Sequence, residues 1–238
     1  MEGHRVLLTH DTSAFPPAPP PDLDDPQVIA AHDWAAFDRV EEMSNHWDRR
    51  GWTPSTRAYY WMLGFPADSA LAEHAQQCQD EIRNLHFDPI DAGGLHLTLG
   101  RIGTIEDVSL GELNALLAAV AEMSTDRFRL QAVPMTASRG AVRYSIAPWT
   151  PVLDLHARLS AAGARCRLPL RKPTSVLRPH IGIAYCNRAA DARMVRETIR
   201  PLRGMDCVSV PVDHLHLVEM RREDRAYRWR VIDQVNLA

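Results

Sequence analysis

The sequence predicts an α+β protein with two sheets, each covered by helices on one face. Three observations carry this reading: an element order of βαβαββ followed by αββαββ, strict two-residue alternation in segments such as LHLTLGRI, and apolar positions three and four apart in the segments between strands. The 238 residues suffice for one large domain or two small lobes. With 45% hydrophobic and 24% charged residues the composition is that of a globular chain. No run approaches the roughly 18 apolar residues of a membrane-spanning helix.

Residues 14–26, AFPPAPPPDLDDP, are too proline-dense for a packed element and read as extended polyproline II. Residues 1–25 are therefore expected to form a flexible arm. Residues 26–57 follow as a helix and connecting loop, with Ile29, Trp34, Phe37, Val40 and Met43 near helical spacing over 27–50. The body, residues 58–238, opens with a buried strand over 58–65 ended by Pro66. Asp68 is placed to cap a helix striped with Leu71, Ala75, Cys78, Ile82 and Leu85. A strand over 95–102 is next. Ser109 and Glu112 form a capping box before a helix carrying Leu113, Leu116, Leu117 and Val120. Strands over 127–134 and 141–147 flank a turn at Arg139–Gly140.

The second round opens with a helix over 151–162, bearing Val152, Leu155 and Leu159, with Gly163 as its stop and His156 on its exposed side. A strand over 165–170, a loop RKPTSV and a strand over 179–186 follow. Asp191 opens a helix with Met194, Val195 and Ile199, and strands over 207–220 and 226–236 finish the chain.

The net charge of −3 excludes a globally basic nucleic-acid coat. The first 119 residues hold seven basic and 19 acidic side chains and the last 119 hold 20 and 11; the plainer account is a general bias to arginine, since Lys172 is the only lysine, and the sharper one is an anion-facing surface in the second half. Cys78, Cys166, Cys186 and Cys207 are scattered and form no CxxC pair, which excludes a zinc ribbon or thioredoxin-type site. Reduced thiols and the lack of a secretory leader predict a cytoplasmic protein. His214 and His216 lie two apart on a strand, but no further ligand pattern accompanies them, so no metal is expected. Signatures of nucleoside triphosphatases, dinucleotide-binding folds and zincins are missing.

Two similar tetrapeptides carry the candidate chemistry, His96-Leu97-Thr98-Leu99 and His180-Ile181-Gly182-Ile183. On a strand, His96 and Thr98 share one face and Leu97 and Leu99 the other, where parity also puts Arg101. His180 likewise shares a face with Gly182. If the two lobes are related by a pseudo-twofold axis, the histidines meet across a cleft. One neutral imidazole can then take a proton while a protonated one donates to a leaving oxygen. Thr98 and nearby backbone N–H groups can hold phosphoryl oxygens. Arg178 is a candidate for a forked phosphate contact, and Lys172 with Arg171 for steering a phosphate. Tyr185 and Trp61 are candidates for stacking on a base, whereas Tyr59 is expected in the core. His46 is expected to order the loop before the first strand of the body.

At these residues the chain resembles the two-histidine phosphoesterase superfamily, which includes bacterial 2'-5' RNA ligases and 2',3'-cyclic phosphodiesterases. Its mark is two H-x-[Thr/Ser]-x tetrapeptides, one per lobe of a bilobal α+β fold around a central cleft. HLTL matches throughout. RPHIGIAY matches at His180, its flanking aliphatics and Arg178-Pro179, and departs at Gly182. The stretches NHWDRRGWTPSTRAYYWMLGF and HLHLVEMRREDRAYRW look like actinobacterial members of the 2'-5' RNA ligase family, so the resemblance spans roughly residues 40–238. It implies a phosphoesterase using His96 and His180 without metal or cofactor. The implied substrate is a 2',3'-cyclic phosphate or 2'-5' phosphodiester in RNA or a nucleotide. A monomer with no membrane partner is expected. Because Gly182 lacks a hydroxyl, the alternative is a non-catalytic RNA- or nucleotide-binding protein.

Overall fold

A computed structural model describes residues 7–48 and 51–238. In chain order its elements are α1 (Pro26–Asp38), β1 (Glu42–Met43), β2 (Arg57–Gly64), α2 (Ala70–Glu81), β3 (Asp88–Pro89), β4 (His96–Thr104), α3 (Leu110–Ala121), β5 (Phe128–Ala137) and β6 (Ala141–Ala147). There follow α4 (Thr150–Arg165), β7 (His180–Tyr185), β8 (Ala190–Asp191), α5 (Ala192–Ile199), β9 (Val208–Val212), β10 (His214–Glu223) and β11 (Ala226–Asn236). All strand pairs among the described residues are antiparallel. A four-stranded sheet has the order β11-β10-β2-β4, a five-stranded sheet the order β3-β7-β6-β5-β9, and β1 pairs with β8 apart from both. No described helix is long and apolar enough to cross a membrane.

Alternation decides what each sheet face meets. Trp61, Leu63, Leu97 and Leu99 point from the four-stranded sheet into the main core, with α4 against β4 and α3 against β11. From the five-stranded sheet Tyr144, Ile181 and Ile183 face α2, where the Tyr144 hydroxyl lies 2.7 Å from His74 Nδ1. On its opposite face the five-stranded sheet carries α1 over β5 and β6, and β4 packs beside β7 where the two sheets meet. The α-helices other than α4 start on side-chain caps: Asp25 accepts from Gln27 and Val28 N–H, Ser109 and Glu112 form the expected box, and Asp191 accepts from Arg193 N–H. Each such cap contributes about 1 kcal/mol.

Several expectations need correction. The first helix ends at Asp38 instead of running to 50, because the chain turns to pair Glu42 with Asp191 and Met43 with Ala190. Arg196 accommodates this by donating to the carbonyls of Phe37 and Val40. Positions 49–50 lie outside the described residues. Ser69, not Asp68, caps α2, which stops at Glu81 so that Leu85 packs from a separate 3-10 turn. Gly163 lies within α4 instead of ending it. A Cβ there would collide with the Leu168 carbonyl oxygen, so the glycine admits the chain that crosses α4. The expected strand over 165–170 is absent, since α4 continues to Arg165 and an irregular crossing follows. The strand expected over 207–220 is two strands in different sheets, broken at Asp213. His156 is 1% exposed, not solvent-facing, and its Nδ1 lies 2.8 Å from Thr174 Oγ1.

The proline-rich segment is not an extended arm. Residues 1–6 lie outside the described residues, but within residues 7–25 Ala14, Pro16 and Pro20 are buried, and α1 follows over the cleft-side face of the five-stranded sheet. Asp33 of α1 accepts a 2.7 Å hydrogen bond from Ser145 on β6 and lies 3.9 Å from the Arg143 guanidinium. Arg143 also donates to the Phe15 carbonyl and stands over the Phe15 ring.

Candidate active site

The two motif strands repeat one local design. On β4 the Nδ1 of His96 lies 2.8 Å from the carbonyl oxygen of Gly94, and on β7 the Nδ1 of His180 lies 2.8 Å from that of Arg178. A carbonyl only accepts, so both rings hold their proton on Nδ1 and present a bare Nε2. Three residues after each histidine the ladder slips by one. Leu99 is passed over between the pairs Met62–Thr98 and Trp61–Gly100, and Ile183 between Arg143–Gly182 and Val142–Ala184. The freed Ile183 carbonyl accepts from Ile90 N–H and from the Gln79 side chain, each at 2.8 Å. Such bulges change which residues share a face. Five residues after the histidines, Arg101 and Tyr185 therefore turn toward the cleft.

The electrostatics favour neutral imidazoles in the absence of an anion. Burial holds His96 below the ordinary histidine value against the opposing pull of the Gly94 carbonyl. His180 is also held below it, first by the protein around it and then by the Arg143 guanidinium. The Arg178 carbonyl and Asp33 act in the opposite sense, and His96 adds a further lowering. The edge of His180 is nonetheless exposed to the cleft, and His96 is half-buried. An incoming phosphate would supply the negative charge that lets one ring take up a proton.

The remaining sequence candidates divide. Thr98 stands half-buried on the His96 side, paired with Met62. Tyr185 reaches the groove that His96 lines together with Ile90, Tyr227 and Trp229, and it stacks on His46 with 4.0 Å between ring centroids. Trp61 is not available for stacking: it alternates with Tyr60 and Met62, faces the helices and is fully buried. Arg178 is not a phosphate ligand. It is 5% exposed, and its five N–H bonds go to the carbonyls of Pro16, Ser175, Leu177, Thr9 and Pro17. Lys172 is exposed in the crossing loop beside Asp11, and no contact brings it to the histidines. Among the described residues no three His, Cys, Asp or Glu side chains are grouped to hold a metal ion. His216 is engaged by the Gly64 N–H and by Gln234.

Sequence reasoning ranks Arg101 below Arg178 as a phosphate contact, because parity puts it on the Leu97 side, and misses the Arg143–Asp33–Ser145 cluster beside His180. Trp229, whose ring meets His96 edge-on with 5.2 Å between centroids, is missed as well. A bulge leaves no mark that alternation can detect. Burial of a helix on a strand face is likewise invisible before the strands are assembled.

A family model described as the 2'-5' RNA ligase superfamily matches residues 67–224, a span holding both histidine motifs and excluding α1. Among solved structures the fold is similar to E. coli LigT complexed with 3'-AMP, at 18% identity and a TM-score of 0.55, over 77% of this chain and 99% of that one. It is also similar to TT0787 of Thermus thermophilus, at 18% identity and a TM-score of 0.54, over 76% and 97%. No curated protein matches the sequence.

Proposed function

The chain belongs to the 2'-5' RNA ligase superfamily, and from that premise we propose that it is a metal-independent phosphoesterase that opens a 2',3'-cyclic phosphate, or makes and breaks a 2'-5' phosphodiester, in RNA or a nucleotide. The observation that carries this reading is the matched pair of Nδ1 ties, which leaves two Nε2 atoms on adjacent motif strands. In hydrolysis one imidazole takes a proton from water as it attacks phosphorus. The other, protonated as the anion binds, gives its proton to the departing 3'-oxygen, and a 2'-phosphomonoester results. Thr98 donates to a phosphoryl oxygen. With the 5'-hydroxyl of an RNA end in place of water, the same displacement breaks the bond to the 3'-oxygen and forms a 2'-5' linkage. A cytoplasmic location, where the four thiols stay reduced, belongs to the same proposal.

The test is phosphorus NMR of the four nucleoside 2',3'-cyclic monophosphates with wild-type and His180→Ala protein, in EDTA. Turnover to a 2'-phosphate by the wild type alone supports the proposal, and no turnover of any of the four refutes it for nucleotides. Both rings sit below the ordinary histidine value, so kcat/KM should follow a bell centred on the acid side of about pH 6.5, the reference value. The sign follows from the roles: the acid loses its proton above its lowered pKa, and the base gains one below its own. Bound anion raises both, so the profile of kcat should lie at higher pH. Coincident profiles would contradict this coupling.

Gly182 favours one rival, a binder that has lost turnover. A Cβ at this position would lie 3.1 Å from Ile90 Cδ1, the movable end of that side chain. Gly182→Ser is expected to raise kcat/KM about tenfold, as one added hydrogen bond to a charged oxygen is worth about 1.5–3 kcal/mol, less the cost of displacing Ile90. Tight cyclic-nucleotide binding with no product in either protein would establish the rival instead.

A further inference from the structure

The bulge at Leu99 places a cation where the sequence pattern does not. Arg101 shares the cleft face with His96 and Thr98, paired with Tyr60, and its guanidinium stands 6.0 Å from the Trp52 ring centroid. Its Nε is buried with no hydrogen-bond partner. No described carboxylate lies within ion-pair distance; Asp107 feels its charge but is engaged by Thr104. Many of the other arginines are committed to backbone carbonyls or carboxylates, as Arg178, Arg196, Arg222 and Arg230 are.

Aromatic rings cover the same sheet face between the two ends of this strand. Trp52 stacks on Tyr60 and meets Tyr227, and Trp229 packs with them against Met62, Val218 and Met220 and touches His96. His96 and Arg101 pair with Gly64 and Tyr60, four residues apart on β2, so they stand roughly 13 Å apart at about 3.3 Å per residue. That is too far for one phosphoryl group to bridge and suits a phosphate further along a chain. The Arg171 N–H bonds to the Arg101 carbonyl at 3.0 Å, so the loop bearing exposed Arg171 and Lys172 runs along the same strand edge.

We propose that Arg101 binds an upstream phosphodiester of single-stranded RNA whose bases lie over the Trp52-to-Trp229 face, which makes the terminus of an oligonucleotide the preferred substrate over a mononucleotide. This rests on the phosphoesterase reading for the position of the terminal phosphate, but its binding consequence is independent of turnover. Aromatic stacking with a neighbouring cation is the usual means of holding an unpaired strand.

The test compares binding of a labelled RNA hexanucleotide ending in a 2'-phosphate with that of the matching mononucleotide, across a series of potassium chloride concentrations. Arg101→Gln is expected to weaken hexanucleotide binding about tenfold and to lower the log–log salt slope by about 0.7, the value for one phosphate contact on a single strand. Its ratio of hexanucleotide to mononucleotide affinity should fall with it. Arg101→Lys should keep the slope. Trp52→Ala should weaken the hexanucleotide with the slope unchanged, which keeps the idea testable if Arg101→Gln melts early. Equal loss on both ligands, an unchanged slope, or a wild type that binds the two ligands alike would overturn the proposal. A wild type that binds the hexanucleotide more tightly but hydrolyses no cyclic phosphate would sink only the catalytic reading.

Discussion

Replacing either His96 or His180 by alanine is expected to lower kcat/KM on a 2',3'-cyclic nucleotide by at least about 10²-fold, the usual contribution of one positioned general acid or base. The loss should come without unfolding. Each ring gives up its 2.8 Å bond to a carbonyl two residues back, a net contribution of about 1 kcal/mol, and His96 also its edge contact with Trp229. Both rings stand on strands held by neighbours on the ladder and by a core of Leu97, Leu99, Ile181 and Ile183. The double variant should be little worse than the single ones, because two groups acting on one proton inventory do not contribute additively. Steady-state rates with circular dichroism on the same samples measure both. Full activity in both single variants would end the two-histidine mechanism.

Arg178→Ala should produce the largest change in stability. The side chain is almost wholly buried and satisfies carbonyls of residues 9–17 on one side and those of Ser175 and Leu177, just before β7, on the other. Hydrogen bonds to a charged group are worth about 1.5–3 kcal/mol each, but the released carbonyls of the N-terminal segment can rehydrate, so the expected net loss is about 3 kcal/mol. For a chain of this length that lowers Tm by roughly 10 °C. Lysine should rescue little, since an ammonium offers three donors in place of a planar five. Hydrogen exchange should rise first at residues 9–17. An unchanged Tm with no gain in exchange there would mean that the segment is held by other contacts. The same residue's carbonyl holds His180 Nδ1, so this variant should also slow turnover.

The net charge of the second half has a different meaning from the one its sign suggests. Taken as composition, a surplus of arginine there implies a surface for anions. Much of it is internal: Arg178 ties down the N-terminal segment, Arg196 closes the end of α1, Arg203 donates to the Met135 carbonyl, and Arg222 holds the Trp47 and Trp52 carbonyls. A guanidinium with five donors can stitch irregular chain that has no ladder of its own. Arg101 and the exposed Arg171 and Lys172 instead present cations along β4.

What the sequence alone determined is what depends on neighbours in the chain. Two-residue alternation put His96 and His180 opposite buried aliphatics, and local cap chemistry set the starts of α3 and α5 at Ser109 and Asp191. The pair of tetrapeptides identified the family. Tertiary structure decided everything that required two distant segments to meet. It bent β4 and β7 at Leu99 and Ile183, turned Arg101 and Tyr185 into the cleft, consumed Arg178 in the fold and drew the proline-rich segment onto the second sheet. The physical reason is that side-chain direction along an unbroken strand is a local property, whereas a slipped register or an occupied guanidinium is set by the energy of partners far away in the chain.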